Sequence, residues 1–159
     1  MHRIRPTRRG FLLAAGVKIP APYRVLAHSD GDFIFHAVSD ALASSLGTND
    51  IGHFFPPGKP ETKAMNSAVI LKHYLRALIG QGAQILSVSV VVAAQKPKLA
   101  AHCPRIRSAL SEALAIPLHR VGLTMKTFEA VKPLASNCVA CWATCLVEEG
   151  RPRMRRRQK

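Results

Sequence analysis

Acidic side chains are scarce in this chain. It has 23 Lys and Arg residues against 9 Asp and Glu, a formal net charge of +14 over 159 residues, and none of its acidic residues precedes Asp30. Such an imbalance is large for a domain that acts on a small metabolite, so it favours binding to a polyanion. Long hydrophobic runs are also missing, since none approaches the roughly 20 residues of a membrane-spanning helix. With no secretory apolar core near its start, we expect a soluble chain without a membrane partner.

The basic residues are concentrated at the two ends of the sequence. Residues 150–159 have no apolar periodicity and cannot bury a face, which predicts a tail that becomes ordered only against a partner. Contact with RNA phosphates is one interpretation of these ends, and a solvated tail is the other. The residues that we predict to contact RNA are Arg3, Arg5, Arg8, Arg9, Arg151, Arg153, Arg155, Arg156, Arg157 and Lys159.

The length and the 48% hydrophobic content suit one packed domain. Helical periodicity and end signals predict helices over about 33–46, from a cap at residue 66 or 67 to about 80, and over 103–115. Alternating and β-branched segments predict a strand or hairpin near 10–20 and strands near 85–92, 121–127 and 139–147. This order favours an α+β fold with the helices on one face of a sheet. We divide the chain into a basic segment 1–9, a domain 10–149 and a basic tail 150–159.

Four cysteines are present, and two of them form the spacing Cys138-x-x-Cys141. The surrounding residues alternate as in a strand, which would point these two thiols to opposite faces of a sheet. No second pair completes a zinc site, so the pattern favours buried structural thiols.

The segment from residue 26 to residue 40 packs two His and three Asp residues into a turn that leads into a helix. Asp30-Gly31-Asp32 supplies a glycine turn and an Asp that can cap a helix beginning near Phe33, which places His36 one turn inside that helix. Read with Asp50-Ile51-Gly52 and residues 94–98, this segment resembles the 2-C-methyl-D-erythritol 2,4-cyclodiphosphate synthase family. The resemblance covers roughly residues 10–149.

The resemblance implies a mixed sheet of about four strands with three helices on one face, and a homotrimer with each active site between subunits. In this family one zinc holds the substrate diphosphate, and a second divalent ion, magnesium or manganese, bridges it. The 2-phosphate then attacks the diphosphate, releases CMP and closes a cyclic diphosphate, a reaction that depends on positioning and charge neutralisation.

The family's functional positions can be carried over one at a time. By resemblance, His36 matches the zinc ligand on the helix, and His28 with Ser29 matches the turn that contacts substrate phosphate. Asp50 and Gly52 match the residues that meet the ribose and the erythritol unit. The loop that holds the cytosine matches Ala94, Lys98 and Leu99, and the Thr and Glu near the bridging phosphate and second metal match Thr127 and Glu129.

Departures from the family pattern lead us to expect a loss of activity. The family places an Asp-X-His pair near the amino terminus as the other two zinc ligands. In this chain residues 1–10 form a shorter segment than in the family, and neither ligand is in register there. A lone imidazole does not hold a catalytic zinc, which takes three protein ligands. In addition, Lys126 stands where the family usually has a Thr, Pro57 where it has an Asp, and Ser136 near its phosphate-binding Arg.

We therefore predict a catalytically degenerate pseudoenzyme with no cofactor and an empty position at His36. Its partner would be RNA within a ribonucleoprotein, for example a mitochondrial ribosome, so that an organelle is its expected location and a mitochondrion is favoured over a plastid. The alternative is an active synthase of non-mevalonate isoprenoid synthesis. That alternative needs zinc together with magnesium or manganese, and an additional ligand, which is either His2 or a residue from a neighbouring chain.

Overall fold

The computed structural model describes residues 1–129, 131 and 137–150 of the chain. A five-stranded mixed sheet forms its centre, in the order β2-β1-β5-β3-β4. Only the β3–β4 pair is parallel among the described strand pairs. The strands are β1 His2–Ala14, β2 Val17–Leu26, β3 Gln84–Ala94, β4 Val121–Lys126 and β5 Cys138–Glu148. The predicted α+β class and mixed sheet are confirmed, with five strands instead of about four.

In the described part of the chain, three long helices and one short helix accompany the sheet: α1 Phe33–Ser45, α2 Ile51–Phe54, α3 Ser67–Gly80 and α4 Cys103–Leu114. Helix α1 packs against β5 and against α3. Its buried side chains, which include Phe33, Val38 and Leu42, lie in the central hydrophobic core. Because α1 starts directly after the polar turn, the same packing fixes His36 against the sheet.

The basic amino-terminal segment belongs to the sheet. Strand β1 starts at His2, ahead of residue 10, where the sequence placed the start of the domain. Ile4, Leu12 and Ala14 point into the core while the arginines of this strand are exposed. A β-bulge between Pro6 and Gly10 interrupts the pairing with β2. Residues 151–159 of the predicted carboxy-terminal tail lie outside the described residues, as does Ser136.

The four cysteines are free and partly buried. Burial raises the pKa of Cys141 to about 12 and that of Cys145 to about 11. Both thiols are therefore protonated near neutral pH, as expected of structural cysteines. Separately, within residues 1–129, 131 and 137–150, none of the helices combines the length and apolar character that crossing a bilayer requires.

Candidate functional site

The polar turn before α1 is held together by the carboxylate of Asp32. This side chain is 1% exposed and accepts hydrogen bonds from the backbone N–H groups of Ile34 and Phe35, which makes it the N-cap of α1. It also accepts from the N–H groups of Ala15 (2.9 Å) and Gly16 (2.6 Å) in the β1–β2 turn. Burial raises the pKa of Asp32, while the N–H donors oppose that shift. One carboxylate thus joins the hairpin to the helix.

Asp30 joins the same turn to α3. Its carboxylate accepts from the backbone N–H of Ser67 at 3.0 Å and from the Ser67 hydroxyl. Between the two Asp residues, Gly31 has φ +79°, and a Cβ at this position would lie 2.9 Å from the side chain of Val25. Only glycine meets both requirements, since other residues are strained at this φ.

The imidazole of His36 lies at the centre of this arrangement. Its Nε2 is 3.1 Å from the hydroxyl oxygens of both Ser29 and Ser67. Since the Ser67 hydroxyl donates its proton to Asp30, its oxygen is left to accept from His36 Nε2–H. This assigns the tautomer of His36, and the lone pair of Nδ1 is directed away from the serines.

That lone pair faces a second imidazole. Nδ1 of His36 is 3.1 Å from Nε2 of His2, and the two ring centroids are 5.2 Å apart. Strand β1 brings His2 to this position because His2 pairs with Val139 of β5, the strand on which α1 rests. The structure therefore places an imidazole from the amino-terminal segment beside His36, which the sequence analysis expected to be the single remaining family ligand. The sequence-based alternative that His2 supplies a ligand agrees with this geometry.

These two histidines fit a divalent metal. Two nitrogens on one tetrahedral zinc lie roughly 3.3 Å apart, because each Zn–N bond is about 2.0 to 2.1 Å, and the observed separation is 3.1 Å. Burial lowers the pKa of His36. Burial and the neighbouring imidazole of His36 together lower the pKa of His2 to about 4. Both rings are then neutral near pH 7, the form that binds metals. The hydrogen bond from His36 Nε2–H to Ser67 also orients the ring, as partners behind a metal-binding histidine do.

The described residues supply only these two nitrogen ligands, since no group of three or more His, Cys, Asp or Glu side chains within them is arranged to hold a metal. Asp30 and Asp32 are engaged with backbone and hydroxyl donors, as described above. Among the described residues, His2 and His36 are therefore the pair whose geometry suits binding of one metal ion.

A cavity of about 280 Å³ opens beside the two imidazoles, and we call it the main cavity. His28, Ser29 and Gly52 are among the residues that line it. Asp50, by contrast, caps α2 by accepting from the N–H of His53 at 3.0 Å. The remaining lining residues are Ala27, Ile51, Phe55, Pro57, Thr62, Met65 and Ile70. The structure thus brings His28, Ser29, His36 and Gly52 together around one space.

The other predicted site residues form a second group at the carboxyl ends of β3 and β4. The N–H of Phe128 donates to Gln95 Oε1 at 3.3 Å, and Thr127 hydrogen-bonds to Glu129. Ala94 and Leu99 are buried, whereas Lys98 is exposed. None of these residues lines the main cavity.

The two groups nevertheless lie at the same end of the sheet. His2 pairs with Val139, and Val139 pairs with Ala94, so the three residues form one row across β1, β5 and β3. Neighbouring strands are about 4.8 Å apart, which places His2 and Ala94 on the order of 10 Å from each other. A ligand with a nucleotide at one end and a phosphorylated polyol at the other is long enough to span this distance.

Sequence reasoning did not find the roles of Asp30 and Ser67 and left His2 open. Asn66 caps α3, in agreement with the predicted cap at residue 66 or 67. The sequence gives no sign, however, that Ser67 contacts His36. The contacts of His36 with Ser67 and His2 span 31 and 34 residues. Local patterns do not contain that information.

Comparison with known proteins identifies the group to which these features belong. The family model described as YgbB family matches residues 1–148. The chain is 40% identical over 149 residues to the 2-C-methyl-D-erythritol 2,4-cyclodiphosphate synthase of Gloeobacter violaceus, covering 93% of this chain and 90% of that protein. It is 41% identical over 132 residues to the synthase of Thermus thermophilus, covering 83% and 86%.

Solved structures agree with these relatives. A CDP-bound form of 2-C-methyl-D-erythritol-2,4-cyclodiphosphate synthase has a TM-score of 0.84 and 37% identity, covering 92% of this chain and 95% of that chain. A CDP complex from Plasmodium falciparum has a TM-score of 0.81 and 30% identity, covering 94% and 92%. The resemblance that the polar turn suggested is confirmed.

These findings correct the functional prediction. The expectation of a pseudoenzyme that serves as an RNA-contacting part of a mitochondrial ribosome is wrong, because relatives with the name of one enzyme match over most of the chain. The expectation that no cofactor is needed is wrong for the same reason, and the facing imidazoles of His2 and His36 agree with the correction. Nothing supports RNA or a ribonucleoprotein as a partner of the arginines on β1.

Proposed function

We propose that this chain, which belongs to the YgbB family, is an active 2-C-methyl-D-erythritol 2,4-cyclodiphosphate synthase. Its substrate would be a cytidine diphosphate ester of methylerythritol that carries a phosphate at position 2. An oxygen of that phosphate forms a bond to the phosphorus of the diphosphate that is attached to the methylerythritol. The bond from this phosphorus to the oxygen of the cytidine-bound phosphate breaks, and CMP leaves with that oxygen. No water is consumed, and the product is a cyclic diphosphate.

One observation carries the proposal: the neutral imidazoles of His2 and His36 face each other at the wall of the main cavity. A zinc held by these residues would supply positive charge for the diphosphate. His28 and Ser29 line the same cavity, which supports a role for them in binding a substrate phosphate. The chain then contributes binding and orientation, which is most of what phosphoryl transfer requires of a protein.

The nucleotide end of the substrate would lie at the second group of residues. The loop from Ala94 to Leu99 offers backbone groups to a base, and such groups can provide much of the recognition of a small ligand. Thr127 and Glu129 stand beside this loop, where Glu129 could hold the second divalent ion, magnesium or manganese. Lys126 stands where the family usually has a Thr. The assay of CMP release described below tests whether the chain is active with a lysine at this position.

We also propose a homotrimer, as the family resemblance implies. The open face of the sheet carries Trp142 at 55% exposure and Leu146 at 58%. Both lie on β5, the middle strand of the sheet. A large apolar surface at the centre of a sheet is typical of an interface between subunits.

The direct test is CMP release from the substrate by the purified chain supplied with zinc and magnesium or manganese. We expect equal amounts of CMP and cyclic diphosphate, loss of turnover with a chelator, and recovery when zinc is returned. Absence of product from a folded, zinc-loaded protein would contradict the proposal.

The trimer is tested separately with Trp142→Glu. We expect this change to lower the molar mass in light scattering from that of a trimer to that of a monomer, since it buries a charge at the interface. A wild-type chain that is monomeric at assay concentration would contradict this part of the proposal. An organelle as the location, with a mitochondrion favoured over a plastid, stays a prediction.

A further inference from the structure

A second cleft adjoins the main cavity and shares one residue with it. This cleft has a volume of about 380 Å³ and is lined by His28, Gly58, Lys59, Pro60 and Lys63. His28 lines the main cavity as well. Both spaces therefore border His28, and we call the second one the lysine cleft.

Backbone hydrogen bonds hold the segment that carries the two lysines against the polar turn. The N–H of Ala64 donates to the carbonyl of His28 at 2.6 Å, and the N–H of Asp30 donates to the carbonyl of Met65 at 2.9 Å. The hydroxyl of Thr62 donates to the carbonyl of Pro56 at 2.8 Å. The lysines are thus attached to a backbone whose position relative to His28 is fixed, while their side chains are exposed.

The negative charge of the substrate indicates a phosphate-binding role for these lysines. A phosphate monoester has about −1.5 to −2 charge at pH 7, yet among the described residues those that line the main cavity include neither Lys nor Arg. During cyclisation this group must approach the diphosphate, which is also negative. Cations beside the attacking phosphate would reduce that repulsion, and lysine ammonium groups commonly bind phosphate as point charges.

We propose that Lys59 and Lys63 bind the 2-phosphate of the substrate in the lysine cleft and hold it next to His28. This inference rests on the proposed function and adds a substrate-binding role for two residues that the sequence analysis did not select. The two ammonium groups balance the charge of the monoester, while a metal ion held by His2 and His36 would supply positive charge for the diphosphate. The lysines contact the attacking phosphate and leave the cytidine end of the substrate free.

The test compares ligands with and without the 2-phosphate. The variants are Lys59→Met, Lys63→Met and the double variant, with Lys72→Met as a matched control on the exposed surface of α3. We measure equilibrium binding of the full substrate, of the same compound without its 2-phosphate, and of CDP. The double variant should bind the full substrate about 10- to 100-fold more weakly, since charge-assisted hydrogen bonds are lost. Its binding of the two other ligands should change less than about twofold.

Two further variants test the sign of the charge. Lys59→Arg combined with Lys63→Arg should restore most of the binding, and Glu61→Gln, which removes a negative charge from the same turn, should not weaken it. Equal weakening of all three ligands, or unchanged binding of the full substrate, would overturn the role of the lysines. Thermal melts of each variant show whether it is folded.

The two proposals fail in different ways. If the wild-type chain releases CMP but the double variant binds the full substrate normally, the lysine cleft is excluded and the synthase stands. If the wild-type chain binds CDP but does not turn the substrate over, the proposed function fails and the inference fails with it.

Discussion

The polar turn from Ser29 to His36 and the arginine-rich face of the β1–β2 hairpin differ in how their side chains are held. In the turn, the carboxylate of Asp32 accepts from four backbone N–H groups, and His36 contacts two serines and a histidine. On the hairpin, Arg5 is paired across the strands with Arg24 and both are exposed. Like charges directly opposite each other destabilise a strand pair.

This difference shows which of two sequence signals reports function. The charge of the hairpin dominates the composition, and it led to a prediction of RNA binding that the relatives contradict. The turn contributes little net charge, but each of its polar groups is placed by specific contacts. Solvated cations are compatible with many functions, whereas a buried imidazole pair costs free energy unless it has a partner. Substitutions in the two regions should therefore have very different effects.

The largest effect is expected from His36→Ala. Loss of this imidazole removes one of the two proposed metal ligands, and we expect turnover to fall at least about a thousandfold, together with bound zinc. CMP release and metal analysis of the purified variant measure both quantities. His119→Ala, at an exposed position, is the control and should leave both unchanged. Full zinc content in the His36 variant would show that the metal lies elsewhere.

Asp32→Ala should have the next largest effect, on stability. It leaves four N–H groups without their acceptor, and we expect the free energy of unfolding to fall by about 3 kcal/mol. Urea denaturation followed by circular dichroism gives this value. Ser39→Ala is the matched control on α1, because the Ser39 hydroxyl is buried without a partner among the described residues, and a change below about 0.5 kcal/mol is expected. Similar losses in both variants would contradict the role of Asp32 as the link between hairpin and helix.

Ser67→Ala separates orientation from ligation. The variant keeps both imidazoles but removes the hydroxyl between Asp30 and His36. We expect zinc affinity and kcat to fall roughly 10- to 100-fold, as is usual for a partner behind a metal ligand. Competition with a zinc chelator measures the affinity, and Ser67→Thr, which keeps a hydroxyl, should recover part of it. Unchanged zinc affinity in Ser67→Ala would indicate that Ser29 alone orients the ring.

The smallest effect is expected on the hairpin. Replacing Arg8 and Arg9 with Gln removes two exposed charges, and kcat/KM should change less than about twofold, since surface substitutions seldom alter free energies by more than 0.5 kcal/mol. Steady-state kinetics at low and high salt provide the measurement. A large decrease that disappears at high salt would mean that the hairpin attracts the anionic substrate, and the two regions would then share one function.

Several parts of the molecule could be predicted because their causes are local. The predicted helix at 33–46 is observed as Phe33–Ser45, and the predicted capping Asp is Asp32. The predicted strand at 85–92 lies within Gln84–Ala94, since β-branched residues there pack well on a pleated surface. Strand β1 was only partly found, because exposed arginines and a bulge interrupt its alternation between His2 and Gly10.

The sequence by itself determined the turn, its capping Asp and the placement of His36 one turn into α1, because backbone N–H groups at a helix start are satisfied by the residue just before it. Only the tertiary structure decided that His2 faces His36. That contact depends on the register in which β1 pairs with β5, where His2 lies beside Val139. Strand register is set by burial of a whole face against distant residues, and a one-residue shift would turn His2 away from α1.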